Sequence, residues 1–119
     1  MILPVTPQRL ESVYAMLREW PPFSSWRLPR AEDVSFHVAK TNRWHAAWWV
    51  KEGKHHIEVS EKKHGHLNSL IASMAHEMIH IRQKVAKTET PNTEHNAEFH
   101  RIAKRVCKQL GFDLGQFNG

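Results

Sequence analysis

The stretch His76-Glu77-Met78-Ile79-His80 sets two imidazoles four positions apart, with a carboxylate directly after the first. On a helix, side chains at i and i+4 share one face, with Cβ atoms about 6 Å apart, so both rings can reach a common metal ion. Glu77 is turned by about 100° from His76, beside such a metal rather than on it. From there it can take a proton from a metal-bound water and deliver it to a leaving amine. Zinc suits this chemistry, because neutral imidazoles hold it and water in an open fourth position falls to a pKa near about 7. The pattern alone is not enough. Ten histidines and ten glutamates in 119 residues give H-E-x-x-H in about 7 per cent of shuffled chains.

Support comes from the helix that must carry the motif. Leu67, Leu70, Ile71, Met74, Met78, Ile81 and Val85 fall within roughly 100° of a helical wheel, which predicts a helix over residues 67–86. His76 and His80 lie almost opposite that stripe, with Ser69, Ser73 and Gln83, and so face solvent or a cleft rather than the core. Two ligands are too few for zinc. The third candidate is His95, fifteen positions after His80 and one turn before Phe99 at the inward side of the next predicted helix, 94–110. Glu94, near the start of that helix, and Glu98, off its inward face, are competing carboxylates. Phe99, Ile102, Ala103, Val106 and Leu110 form its core stripe, Arg101, Lys104, Arg105 and Lys108 its basic face, and Gly111 its end.

Upstream, Thr6-Pro7 predicts a helix over residues 6–20, with Leu10, Val13, Tyr14 and Leu17 inward and Pro21-Pro22 as its stop. Residues 21–31 read as an extended connection, with Trp20 and Trp26 packed under a proline-rich turn. Three alternating segments follow within residues 33–60. Val34, Phe36 and Val38 share one face of the first, Trp44 to Val50 form the second, and His55 to Ser60 form the third. In the third, Ile57 and Val59 point inward and His56, Glu58 and Ser60 outward. Residues 51–54 make a hairpin loop in which Gly53 takes a positive φ. The economical arrangement is an antiparallel sheet with 55–60 in the middle and 44–50 as an open edge. The fold class is therefore α+β: an N-terminal helix, a small three-stranded antiparallel sheet, the motif helix and a C-terminal helix, in one domain over residues 1–119.

The composition fits a water-exposed globular chain, 40% apolar and 24% charged, without an apolar run of membrane-spanning length. The N-terminus lacks a signal-peptide pattern. One cysteine, Cys107, excludes an internal disulfide and a multi-cysteine zinc ribbon, and reads as a small packing residue. The expected compartment is the cytoplasm, and a monomer is the default. The net charge is +5, with six basic against three acidic residues over 36–66. That excess permits binding to nucleic acid without requiring it.

Taken together, "HEMIH", "HNAEF" fifteen residues later and the basic helix behind it resemble the SprT-like (Spartan) family of zinc metallopeptidases, over roughly residues 33–112. The family carries an H-E-x-x-H helix and a third histidine in an H-G-x-x-F-like segment. The resemblance implies His76, His80 and His95 as ligands of one catalytic Zn2+, Glu77 as general base, and Phe99 as the aromatic seating the second helix. It also implies a zincin-like architecture in which a peptide substrate adds to an exposed strand edge. Asn96 stands where the family usually has glycine; asparagine is the best substitute at an unusual backbone angle or a helix cap. The C-terminal zinc-binding segment of longer members has no counterpart here.

The expected function is zinc-dependent peptide hydrolysis, with DNA-associated proteins as one substrate class. Its rivals are a non-proteolytic nucleic-acid-binding module and a peptidase cutting a single regulatory protein. Possible nucleic-acid contacts are Lys40, Arg43, Trp49, Lys51 and Lys54, with Trp49 available for base stacking. Trp44 and Trp48 share the other strand face and are assigned to the core. His55, His56, His64, His66 and His100 are read as surface histidines.

Overall fold

The hydroxyl of Thr6 accepts from the Arg9 N–H at 3.2 Å and caps helix α1, Pro7–Arg18, with proline in its first turn. The structure, a computed structural model, describes residues 4–64 and 66–118. The leader-free start read at residues 1–3, and Gly65 of the 64–66 segment, lie outside that range. Leu10, Tyr14 and Leu17 are buried, and the Tyr14 hydroxyl donates to the Pro29 carbonyl at 2.6 Å. The helix ends two residues before the sequence reading, with Glu19 as its C-cap. Residues 21–33 are not wholly extended, because Phe23–Ser25 and Ala31–Asp33 form single 3-10 turns. Trp26 packs beneath this segment, but Trp20 is 48% exposed and does not.

Three strands follow: β1 (Val34–Ala39), β2 (Ala46–Lys51) and β3 (Lys54–Ser60), ordered β1-β3-β2. β2 and β3 form the expected antiparallel hairpin, with Glu52 and Gly53 both at positive φ between them. The expectation of a wholly antiparallel sheet is wrong, because β1 runs parallel to β3 and the sheet is mixed. Residues 40–45 arch over the end of β3, so β2 starts at the end where β1 stops. Glu61 N–H donates to the Ala39 carbonyl and Ser60 N–H to that of His45, each at 2.9 Å. Ser60 is consequently buried under the arch rather than outward, its hydroxyl donating to the Thr41 carbonyl.

Helix α2, Leu67–Ala86, crosses the inner face of the sheet and also touches α1 and the C-terminal helices. Its core residues include Leu70, Met74, Ala75, Met78, Ile79 and Ile81. Leu67 and Val85, assigned to that stripe from the sequence, are exposed because they project past the layer at the two helix ends. Helix α3, Ala97–Leu110, begins three residues later than predicted and ends at Gly111, whose φ of 78 is left-handed. Phe99, Ala103, Val106 and Cys107 face the core, and Arg101, Lys104, Arg105 and Lys108 face outward. A further short helix, α4 (Leu114–Asn118), was not anticipated; it folds back against α2 and α3. No helix among the described residues is long and apolar enough to cross a membrane.

Candidate metal centre

The i, i+4 spacing on α2 aims His76 and His80 into a cleft of about 450 Å³ between the helix, the open edge of β2 and the segment ahead of α3. His95 closes the third side. It is not on α3 but one residue before its N-cap, so a loop rather than a helical turn directs it inward. Ligand nitrogens of His76, His80 and His95 all lie within 4.8 Å of one another, and His76 Nε2 is 3.2 Å from His95 Nε2. Two imidazole nitrogens on one tetrahedral zinc stand about 3.3 Å apart, given Zn–N bonds of about 2.0–2.1 Å. This cluster could hold a metal ion.

Its chemistry fits as well as its spacing. His76 Nδ1–H donates to the Phe117 carbonyl at 2.9 Å, and since a carbonyl can only accept, the Nε2 lone pair is left for the cleft. Burial pushes His76 down to about 4 and His80 to about 3, reinforced by their imidazole neighbours, and lowers His95 too. The rings are therefore neutral at physiological pH, which is the form that ligates. Glu77 Oε2 lies 3.9 Å from His76 Nε2. Burial, with a smaller contribution from Glu94, raises its carboxyl to about 8. A divalent cation among the histidines would supply the positive charge this buried carboxyl lacks.

Aromatic rings and one amide hub fix the three imidazoles. Trp48 stacks on His80 at 5.6 Å with planes 8° apart, and its Nε1–H donates to His55 Nδ1 at 3.1 Å. Phe99, fully buried in the first turn of α3, stacks on His95 at 4.3 Å. Asn96 is the N-cap of α3, its Oδ1 accepting from Phe99 N–H at 2.9 Å, with ordinary extended φ and ψ. The same amide donates to the Thr88 carbonyl and the Thr90 hydroxyl. Gln83, 2% exposed on α2, donates to both Asn96 Oδ1 and Glu98 Oε1 at 2.9 Å. Glu98 is thereby engaged away from the cluster, while Glu94 stays exposed at the cleft wall.

The remaining sequence candidates divide between two surfaces. Arg43 lines the cleft. Trp49 sits on the opposite face of the sheet, stacked on His56 at 5.2 Å and His37 at 5.5 Å, with Lys51 and Lys54 exposed at the adjoining hairpin. Lys40 pairs loosely with Glu61 at 3.9 Å. Trp44 and Trp48 are not fully buried: Trp44 precedes β2, and both line the cleft, though Trp48 also packs against the core. His64 is no surface residue. It is 1% exposed, donating from Nδ1 to the Ser60 carbonyl at 2.7 Å and accepting the Ser73 hydroxyl at Nε2 at 2.8 Å. His66 and His100 are exposed, and His55 and His56 half-buried.

Sequence reasoning missed Gln83 and Phe117. Gln83 was visible as a polar residue on the histidine face, and Asp113 ahead of Leu114 and Phe117 at i, i+3 was a weak helix signal. That a backbone carbonyl of α4 would orient His76 had no signal. Comparisons with protein-family models and with curated proteins find no match for this chain.

Proposed function

We propose that the protein is a zinc-dependent metallopeptidase of SprT-like type and zincin-like architecture, acting in the cytoplasm on protein or peptide substrates. One observation carries the reading: three neutral imidazoles converge beside a buried carboxyl in a cleft bordered by an open strand edge. His76, His80 and His95 would hold the ion. When bound, zinc acidifies a water molecule and polarises the scissile carbonyl. Glu77, which among the described residues is the acid buried beside the cluster, would accept on its carboxylate a proton from the water that adds to the carbonyl carbon and pass it to the amine nitrogen as the C–N bond breaks. Trp48 and Phe99 hold His80 and His95 in place and keep water off their outer faces. The main chain of β2 offers free hydrogen-bonding groups to an extended peptide.

The test is elemental analysis of the purified protein paired with hydrolysis of an unfolded protein substrate. One zinc per chain, and hydrolysis that a chelator stops and zinc restores, is the expected result. A protein that retains no zinc after dialysis against micromolar zinc would remove the reading.

A second reading, single-strand nucleic-acid binding, draws on the stack of Trp49, His37 and His56 beside Lys51 and Lys54 on the open sheet face. Base stacking contributes about 1–3 kcal/mol per base, so Trp49→Ala should weaken binding about tenfold or more, and binding should fall steeply with salt. Binding that ignores both changes would dismiss it.

A further inference from the structure

The cleft continues past the three histidines in both directions along β2. Toward the start of the strand its wall carries Arg43, His45 and Lys63. Past Trp48 and His80 it opens into a recess of about 370 Å³ lined by Glu89, Thr90, Thr93 and Glu94. Trp48, His80 and Glu94 line both parts, so the two are continuous across the cluster. The acidic recess lies toward the end of β2, since of residues 43–48 only Trp48 reaches it. Glu89 is partly neutralised by Lys84 at 3.4 Å. Among the described residues, Glu94, Arg43 and Lys63 enter no ion pair, and all three are exposed. Arg43 and Lys63 thus stand at one end of the groove and Glu89 at the other, with Glu94 between them beside the histidines, so the charge runs from positive to negative along β2.

Ala46, Ala47 and Trp48, consecutive in β2, all line the cleft, although side chains of a strand alternate between faces. The backbone edge of β2 itself therefore borders it. A peptide adding to that edge pairs more stably antiparallel than parallel, which lays its N-terminal half over the end of β2 and its C-terminal half over the start.

We infer that the cleft selects peptides by the order of their charges, taking basic side chains ahead of the bond to be cut and acidic side chains after it. This selectivity rests on the peptidase reading for its meaning, but it is measurable without turnover. Glu94 and Glu89 receive the lysines or arginines, and Arg43 and Lys63 the aspartates or glutamates. The net charge of the peptide is irrelevant; the sequence order of the charges decides.

The experiment uses the zinc-loaded Glu77→Gln protein and two fluorescent peptides of identical composition. One carries Lys-Arg, then a central Ala-Leu, then Asp-Glu; the other has the charged pairs exchanged. Fluorescence anisotropy at low salt should show the first binding about tenfold more tightly, the combined yield of a few exposed charge contacts, with the gap closing as salt rises. In Arg43→Glu/Lys63→Glu, both exposed positions, the preference should vanish or invert while zinc content and melting temperature stay unchanged. Equal affinity for the two peptides, binding of neither, or a preference for the exchanged order would overturn the inference. Hydrolysis of unfolded protein by the wild type together with equal peptide affinities would sink it and leave the peptidase reading standing. Ordered binding without hydrolysis by the wild type would do the reverse.

Discussion

Glu77 is a carboxyl group held away from water, and its environment makes the metal-free protein sensitive to pH in a definite direction. Burial raises its pKa to about 8 from an ordinary 4.5. Between these values the unfolded chain has released the proton and the folded chain has kept it, so folded stability falls as pH rises through that window. His76 and His80 act with the opposite sign lower down: their folded pKa values of about 4 and about 3 lie below the ordinary 6.5, so their contribution is present above 6.5 and is lost as pH falls through the folded values. Metal-free Glu77→Gln should therefore gain on wild type between pH 5 and 8, by on the order of a few kcal/mol at the upper end. Thermal melts of both proteins in chelator read this directly; parallel curves across that range would contradict the burial argument. The ligand assignment is testable residue by residue. His95→Ala should lose bound zinc, whereas Glu94→Ala and Glu98→Ala should retain it, because Glu98 is occupied by Gln83 and Glu94 is exposed at the rim. Loss of zinc in Glu98→Ala with retention in His95→Ala would reverse the assignment.

At the scale of elements, the loop between α2 and α3 matters as much as the helices. Asn96 ties three pieces together: it caps α3, holds the Thr88 and Thr90 turn, and receives Gln83 from α2. Asn96→Ala should cost about 1–2 kcal/mol for the lost cap and leave Gln83 short of one partner. Because His95 is its neighbour, zinc affinity should also drop about 10- to 100-fold, as when other supporting hydrogen bonds of a metal ligand are removed. Competition with a chromophoric chelator measures the second effect and a denaturant melt the first; unchanged zinc affinity would show that the hub does not position His95. The sequence carried the helical period of α2 and the i, i+4 pair plainly, because both follow from local geometry. It carried the third histidine by spacing but misplaced it onto a helix, since Asn96 satisfies a cap that the apolar stripe alone cannot locate. The direction of β1 was illegible for a different reason. Alternation of Val34, Phe36 and Val38 is the same in a parallel or an antiparallel pair, and only the arch at 40–45 distinguishes them. Buried His64 was likewise invisible, since its partners, the Ser60 carbonyl and the Ser73 hydroxyl, meet only through the tertiary fold.

For the whole molecule, one ion would join α2, the loop before α3 and, through the Phe117 carbonyl on His76, the short α4. A ligand that binds only the folded chain stabilises it by about 4 kcal/mol at a thousand times its dissociation constant. In a domain of this size that corresponds to a melting temperature on the order of 10 °C higher with zinc than with chelator. The same comparison in His95→Ala should show little shift, and an equal shift there would place the ion elsewhere. The central claim is that Glu77 works beside a metal held by three histidines, and it is tested most directly by the rate of protein hydrolysis in zinc-loaded wild type and zinc-loaded Glu77→Gln. The amide keeps the size of the side chain but cannot accept the water's proton, so the variant should retain a full equivalent of zinc and lose roughly 10²- to 10⁴-fold in rate. Equal rates at equal zinc content would contradict the account.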